Sequence, residues 1–280
     1  MTAAKSDLPV RAAVGAALIV VALAALWLGG FAFWLLLALA GVLMMGEWAD
    51  LHRAPARAKR LAQFALFVPL VTMAPAWIIG ETRDFFTLGL LAGAAFFVVI
   101  VTRLPRLGLG VLYAGVPVLG LIVIRRQIGV LPVDGHRFVE GLVYASWALA
   151  LVWMTDIGAY FSGRAIGGPK LWPSVSPNKT WAGLIGGVAA ASLFGGAMHV
   201  FAGLPLRLTL ATPALAVLAQ GGDLYESALK RRAGVKDSGT LLPGHGGVMD
   251  RLDGLVPVAP LAAVLVVLPS ILRYVHAQFG

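Results

Sequence analysis

The residues best suited to chemistry are concentrated in one polar stretch, from Gly221 to Gly254. Four aspartates, one glutamate and five lysines or arginines fall within it, although only 12% of the chain is charged. Carboxylate oxygens are the ligands that a hard cation such as Mg²⁺ prefers, and basic side chains bind phosphate oxygens. Together they predict phosphoryl or nucleotidyl transfer, in which positioning and charge neutralisation supply most of the catalysis.

The spacing of the acidic residues indicates that several of them can act together. If the segment is helical, Asp223, Glu226 and Lys230 share one face, because residues three, four or seven positions apart do so. Asp250 and Asp253 are also three positions apart, which is about one helical turn. The chain contains no cysteine, so any metal must be held by oxygen or imidazole.

The same stretch carries residues suited to binding phosphate. His245 precedes Gly246 and Gly247, which form a flexible turn whose backbone can approach a ligand closely. The pattern is not a P-loop, since no GxxxxGK[ST] sequence occurs. Nothing resembles a nucleophilic Ser-His pair, so a nucleophile that is already anionic, such as a phosphate monoester, suits these residues best. The compact positive charges are those of Lys230, Arg231, Lys236 and Arg251.

A second polar region lies upstream, from Asp156 to Thr180. Asp156 ends a hydrophobic run, where an ionised carboxylate is costly and usually functional. Ser176 or Asn178 could cap the long apolar helix that follows, and Lys179 with the free N–H groups of that helix could hold an anion. The residues alone leave a plain helix cap and an anion site equally open.

The composition predicts an integral membrane protein. Hydrophobic residues make up 59% of the 280 positions, and the mean hydropathy is +0.87, whereas a soluble domain is about 45–50% apolar. The net charge of +9 is better explained by basic loops near anionic lipid than by nucleic acid, which we do not expect as a partner. We therefore predict an all-α, polytopic fold of about nine transmembrane helices. The apolar runs are Ala12–Gly46 (two spans joined near Gly29-Gly30), Leu61–Gly80, Phe85–Thr102, Leu107–Ile124, Gly141–Thr155, Thr180–Leu206, Leu208–Gly222 and Gly254–Leu272.

The distribution of lysine and arginine predicts the orientation. With nine spans, 16 of these residues fall on one side and 6 on the other, so the first side should be cytoplasmic. The N-terminus then lies on the cytoplasmic side of a plasma or inner membrane and the C-terminus on the outer side. Both polar regions face the cytoplasm. The first helix resembles a signal peptide, but the spans that follow favour its retention. We expect one membrane domain over 1–280, in which 1–140 supplies N-terminal helices and 141–280 the catalytic helices and loops.

From Ser227 to Asp253 the sequence resembles the signature of the phosphatidate cytidylyltransferases, also called CDP-diacylglycerol synthases. Segments around Asp156–Arg164, Ser176–Thr180 and Gly222–Ser227 are similar to that family as well. The resemblance covers roughly residues 150–255 by motif, while the N-terminal half matches only as a row of apolar helices. The signature positions present are Ser227, Lys230, Arg231, Lys236, Asp237, Pro243, His245, Gly246, Gly247, Asp250, Arg251 and Asp253.

This resemblance implies the formation of CDP-diacylglycerol and pyrophosphate from phosphatidate and CTP at the membrane. It implies Mg²⁺ as cofactor, with K⁺ as a candidate second ion, and a homodimer as the assembly. The implied metal ligands are Asp223, Asp250 and Asp253, which with Lys230 and Lys236 form the expected catalytic set. The expected substrate-binding residues are Asp156, Ser176, Asn178, Lys179, Arg231, His245 and Arg251.

Three other functions compete with this interpretation. A related enzyme acting on another lipid phosphate, such as an isoprenoid ether lipid, would carry the same signature. A CDP-alcohol phosphotransferase would carry the motif DGx₂ARx₈Gx₃Dx₃D, which does not occur here. An anion transporter would favour charges along a path through the membrane and inverted repeats, whereas the charges here gather near one face and no repeat is evident.

Overall fold

A computed structural model describes residues 8–80, 84–133, 136–242, 244 and 246–279. Helices dominate it, and two short β-hairpins lie between helices. The helices are α1 (Leu8–Leu28), α2 (Gly30–Leu51), α3 (Ala56–Thr72), α4 (Ala76–Ile79), α5 (Asp84–Thr102), α6 (Pro105–Arg125), α7 (Glu140–Ile166), α8 (Trp181–Ala202), α9 (Leu206–Ala233), α10 (Met249–Leu252) and α11 (Leu255–Phe279). The strands are β1 (Val130–Val133), β2 (His136–Val139), β3 (Lys170–Trp172) and β4 (Ser176–Thr180).

The predicted helical membrane architecture is confirmed. Over the described residues, six helices are long and apolar enough to cross a membrane: α2, α5 from Phe85, α6, α7, α8 and α11. The apolar part of α1, Ala13–Leu28, is shorter, and the run from Leu61 is divided between α3 and α4. That division follows from Pro75, because the residue before a proline is disfavoured in a helix. The count of nine spans stays a prediction.

The break predicted near Gly29-Gly30 is confirmed. The chain leaves α1 at Leu28 and enters α2 at Gly30, with φ values of 62° at Gly29 and 47° at Gly30. Both values are positive, in the region that glycine adopts at little cost because it lacks a Cβ. The two glycines therefore allow one long apolar run to form two helices.

The segment before α8 differs from its predicted form. Ser176–Thr180 forms the strand β4, antiparallel to β3, with Lys170 opposite Thr180 and Trp172 opposite Ser176. The cap of α8 is Thr180, whose Oγ1 accepts a hydrogen bond from the Gly183 N–H at 3.0 Å. The prediction of Ser176 or Asn178 as the cap is wrong, because a capping side chain must directly precede the first helical turn.

The chain forms two compact units. The first comprises Met1–Gly115 with Leu229–Leu252, and the second comprises Val116–Ala228 with Asp253–Gly280. In the first unit, α2, α3 and α5 bury side chains such as Met45, Leu66 and Leu91. Our prediction of a single membrane domain is neither confirmed nor contradicted by this division.

In the second unit, α7 and α8 pack with their backbones close together. A Cβ on Gly187 of α8 would lie only 2.6 Å from the carbonyl oxygen of Thr155 on α7. A Cβ on Gly158 of α7 would lie 2.7 Å from the carbonyl oxygen of Gly186. Small residues at helix interfaces permit such an approach in membrane proteins. The packing fixes β4, which leads directly into α8, next to the part of α7 that carries Asp156.

Candidate active site

Four of the predicted site residues meet in the second unit, where they form what we call the carboxylate cluster: Asp156 on α7, Lys179 on β4, Asp223 on α9 and Asp253 just before α11. Lys179 Nζ lies 2.6 Å from Asp223 Oδ2 and donates a hydrogen bond to Gln220 Oε1 at 3.1 Å. Gln220 donates from Nε2 to Asp156 Oδ1 at 3.2 Å. The glutamine amide thus links the lysine to a second carboxylate.

Asp253 is brought to this cluster by close packing at Gly222. A side chain on Gly222 would collide with the Asp253 carbonyl oxygen and would approach the ring of Pro257 to 2.9 Å. The carboxylate of Asp253 accepts a hydrogen bond from the Gly254 N–H at 2.7 Å. The absence of a side chain at Gly222 therefore lets the residue before α11 lie against α9, one position from Asp223.

The cluster carries more negative than positive charge. Burial and the charges of Asp223 and Asp156 outweigh the opposing effects of the Gly254 N–H and Lys179, and together they raise the pKa of Asp253 to about 7. Nearby like charges disfavour ionisation of a carboxyl group. One lysine does not offset three carboxylates, so a bound cation would stabilise the ionised cluster.

The residues of the cluster suit a hard cation. Over the described residues, no three His, Asp or Glu side chains stand close enough together to enclose a metal ion by themselves. Mg²⁺ does not require such a cage, because it is usually held by one or two carboxylates together with water and substrate phosphates. The atoms of the cluster that could coordinate a cation are carboxylate and amide oxygens, and none is sulfur. The donor set therefore fits Mg²⁺ bound jointly with substrate.

A second group of predicted residues lies in the first unit, around the segment between α9 and α10. We call its described residues, 234–242, 244 and 246–248, the signature loop. Asp250 on α10 holds this loop. Its Oδ1 lies 2.5 Å from Lys230 Nζ, and its Oδ2 accepts hydrogen bonds from the N–H groups of Ser238 and Gly247, each at 2.8 Å. Ser238 Oγ lies 2.9 Å from the same oxygen. Asp250 is therefore bound by at least four donor groups.

These donors determine the ionisation of Asp250. Burial alone would raise its pKa, but the hydrogen bond and charge of Lys230 and the N–H groups of Gly247 and Ser238 outweigh it and lower the pKa. The side chain is 5% exposed. Asp250 is thus an ionised, nearly buried anchor of the signature loop, and its predicted role as a metal ligand stays a prediction.

The signature loop surrounds an open pocket of about 290 Å³. Two of the predicted phosphate-binding residues, Lys236 and Arg251, line it. Both are exposed, so their charges are accessible to a ligand. The other lining residues are Asp237, Gly239, Thr240, Leu242, Gly244 and Gly246. The pocket has the basic groups that a phosphate would need.

Other predicted residues are not placed with either group. Ser176 and Asn178 lie on β4, with Ser176 opposite Trp172 and Asn178 exposed. Arg231 is exposed on the last turn of α9. His245 and the signature proline Pro243 lie outside the described residues.

Two residues that the sequence did not single out, Gln220 and Glu47, lie among the predicted ones in the structure. Gln220 is 4% exposed and bridges Lys179 and Asp156. Glu47 on α2 is 8% exposed and accepts hydrogen bonds from Val248 in the signature loop and from Met249 at the start of α10. The signal for Glu47 was its position as the first charge after the uncharged run Ala12–Gly46, where an acidic residue at membrane depth is unusual. Gln220 is uncharged and gave no such signal.

Comparison with known proteins finds several similar sequences. The model of the cytidylyltransferase family matches residues 9–268. A phosphatidate cytidylyltransferase of Brucella suis biovar 1 is 39% identical over 249 residues, which are 84% of each chain. One from Bacillus subtilis is 46% identical over 145 residues, covering 48% of this chain and 54% of that protein. One from Staphylococcus epidermidis is 47% identical over 131 residues, covering 46% of this chain and 50% of that protein. The chain belongs to the cytidylyltransferase family.

Proposed function

We propose that this protein transfers the cytidylyl group of CTP to phosphatidate, forming CDP-diacylglycerol and pyrophosphate. Membership of the family supports the transfer of a cytidylyl group, and the similarity to phosphatidate cytidylyltransferases supports phosphatidate as the acceptor. The observation that carries the chemistry is the excess of negative charge in the carboxylate cluster. A cation attracted by that charge would also attract the phosphates of both substrates.

In this reaction a phosphate oxygen of phosphatidate attacks the α-phosphorus of CTP. The bond between the α-phosphorus and the bridging oxygen to the β-phosphorus breaks, and pyrophosphate leaves. The attacking phosphate monoester is already anionic, so the protein need not supply a strong base. When bound, Mg²⁺ supplies charge neutralisation for the triphosphate and for the leaving pyrophosphate.

The residues of each unit have separate tasks in this proposal. Asp223 and Asp253 would hold the cation together with substrate phosphate and water, and Asp156 stays a proposed substrate-binding residue. Lys179 would hold substrate phosphate once a cation replaces it beside Asp223. Lys236 and Arg251 would bind phosphate oxygens in the pocket of the signature loop, where lysine acts as a point charge and arginine as a planar fork. Ser176, Asn178, Arg231 and His245 stay proposed substrate-binding residues, and Lys230 would act by holding Asp250.

The setting of the reaction is proposed from the same features. The apolar helices make this an integral membrane protein, and phosphatidate lies in the lipid leaflet. We propose that the site faces the cytoplasm, where CTP is available, with the N-terminus inside and the C-terminus outside. The excess of basic residues on that side supports this orientation. A homodimer and a K⁺ ion beside Mg²⁺ are further proposals from the family resemblance.

The test is an assay of the purified protein in detergent with CTP, phosphatidate and Mg²⁺. We expect equimolar CDP-diacylglycerol and pyrophosphate, and no product when Mg²⁺ is chelated. Replacing phosphatidate with an isoprenoid ether lipid phosphate tests the rival acceptor. If neither lipid yields pyrophosphate, the proposed function is refuted, because a transporter releases none.

A further inference from the structure

A buried glutamate from the N-terminal half of the chain reaches the signature loop. Glu47 lies near the end of α2, is 8% exposed, and sits between the buried residues Met45 and Trp48. A carboxylate withdrawn from water is costly unless donors surround it. Glu47 therefore needs partners, and its partners show what it does.

The partners of Glu47 all come from one region of the first unit. Its Oε1 accepts a hydrogen bond from the Val248 N–H at 2.8 Å, and its Oε2 accepts one from the Met249 N–H at 2.7 Å. Ser238 Oγ lies 3.0 Å from the same Oε2. These donors are about 190 to 200 positions away along the chain, so each bond ties α2 to the signature loop or to the start of α10.

Two glycines of the loop leave space for this carboxylate. A Cβ on Gly239 would lie 2.9 Å from Glu47 Oε1, and a Cβ on Gly247 would lie 2.5 Å from Glu47 Oε2. Real Cβ atoms do not approach other atoms so closely, so side chains at these positions would push the loop away from Glu47. The loop is thus closed around the glutamate at several points.

Glu47 and Asp250 act on the same short segments of the loop. The hydroxyl of Ser238 is 3.0 Å from the Glu47 carboxylate and 2.9 Å from that of Asp250. Gly247 donates its N–H to Asp250, and the next residue, Val248, donates to Glu47. Lys236 and Gly246, which line the pocket, are within two residues of these anchored positions. The shape of the pocket depends on both carboxylates.

We infer that Glu47 is a positioning residue: its carboxylate holds the signature loop in the conformation that presents Lys236 and Arg251 to substrate phosphate. The activity readout of this inference rests on the proposed function, while the order of the loop can be measured without any substrate. The loss of a positioning contact can lower a rate about a hundredfold when reacting groups shift by about 1 Å.

The experiment compares Glu47→Gln with Asp50→Asn, a matched control. Both changes remove one negative charge from α2, but the Asp50 side chain is 56% exposed and forms a surface ion pair with Lys59, which is worth little. In Glu47→Gln the new amide NH₂ faces N–H and O–H donors. We expect kcat/KM for CTP to fall about 10- to 100-fold per folded molecule in Glu47→Gln, and to stay at the wild-type value in Asp50→Asn.

A second measurement reports on the loop itself. Trypsin is added to the purified proteins in detergent, and the peptide ending at Lys236 is followed by mass spectrometry. We expect cleavage after Lys236 to be about tenfold faster in Glu47→Gln, with a melting temperature close to that of the wild type, because local opening exposes a loop without global unfolding. Asp50→Asn should be cleaved as slowly as the wild type.

The outcomes separate the two proposals. If the wild type makes no CDP-lipid, the proposed function fails, and the protease rates still decide whether Glu47 orders the loop. Wild-type kcat/KM and wild-type cleavage in Glu47→Gln would overturn the inference. So would an activity loss that only follows the unfolded fraction, with kcat/KM per folded molecule unchanged.

If Glu47→Gln does not fold, Ser238→Ala tests the same contact from the loop side. It removes the hydroxyl shared by both carboxylates and leaves Glu47 its two backbone donors. We expect a smaller rise in cleavage after Lys236 and a fall in kcat/KM for CTP of about three- to tenfold. An Ser238→Ala protein with wild-type cleavage and wild-type kcat/KM would overturn the inference.

Discussion

Replacing Lys179 by methionine should change cation binding and substrate binding in opposite directions. In the structure its Nζ lies 2.6 Å from Asp223 Oδ2 and so occupies the position from which a cation would contact that carboxylate. Methionine keeps the length of the side chain but not its charge. Without the lysine, Mg²⁺ no longer competes for Asp223, whereas substrate phosphate loses one positive partner.

The size of both effects follows from the ion pair. A hydrogen bond between charged groups contributes about 1.5 to 3 kcal/mol. The side chains of Lys179 and Asp223 are 19% and 29% exposed, so screening by water places the pair at the lower end, about 1.5 kcal/mol. Since about 1.4 kcal/mol corresponds to a factor of ten, the affinity for Mg²⁺ alone should rise about tenfold. The KM for the substrate whose phosphate Lys179 binds should rise by a similar factor.

The assay is calorimetric titration of Mg²⁺ into the protein without substrate, together with KM values for CTP and phosphatidate. Lys170→Met is the matched control, because Lys170 is exposed on the neighbouring strand β3 and the substitution removes the same charge from the same hairpin. It should leave both quantities at wild-type values. An Mg²⁺ affinity that is unchanged or weaker in Lys179→Met, or that rises equally in Lys170→Met, would refute the reasoning.

Three further outcomes are expected. Asp223→Asn should reduce CDP-lipid formation at saturating Mg²⁺ at least about a hundredfold, and near-wild-type turnover of the folded variant would exclude Asp223 as an essential ligand. The raised pKa of Asp253, about 7, keeps a proton on its carboxyl group in the folded, metal-free protein at low pH. This group therefore stabilises the fold at low pH, and that stability is lost as the pH rises through about 7. Mg²⁺ must displace the proton, so its measured affinity should rise about tenfold between pH 6 and pH 8, and an equally steep rise in Asp253→Asn would contradict this origin. In a denaturation experiment, Gly247→Ala should lower the free energy of unfolding by about 1 to 3 kcal/mol, because the new Cβ would lie 2.5 Å from Glu47 Oε2. Gly221→Ala is the control and should not lower it, because a Cβ at Gly221 meets nothing within 4 Å.

The parts of the fold that depend on lipid could be predicted from the sequence. A helix in a bilayer must satisfy its own backbone hydrogen bonds, so long uncharged runs indicate helices with little ambiguity. The same logic located the break at Gly29-Gly30, because two glycines interrupt the run. The form of Ser176–Thr180 could not be predicted in this way. It pairs with β3 across a turn at residues 173–175, and the chain passes from α7 into this hairpin through Gly167 and Gly168, both with positive φ.

Only the charged residues within the two polar segments of the candidate site could be predicted from the sequence. Asp156, Lys179, Asp223 and Asp253 stood out because charge is scarce in this chain, and the structure brings them together. Gln220 has no charge, and its role appears only in the bonds it makes to its neighbours. Glu47 is charged, but its partners are about 190 to 200 residues away, and a single sequence contains no information on such pairing.

The spacing of Asp250 and Asp253 suggests a pair of equivalent ligands, but their surroundings differ. Asp253 has an unfavourable environment for its charge, since its pKa is raised to about 7 beside Asp223 and Asp156. Asp250 has a favourable one, since Lys230 and the loop donors lower its pKa. A cation gains most from the carboxylate whose charge is least compensated, and it would have to displace existing donors to reach the other. The signature therefore contains two carboxylates three positions apart with different electrostatic environments. The charge of Asp253 favours a bound cation, whereas the charge of Asp250 is already compensated by protein donors.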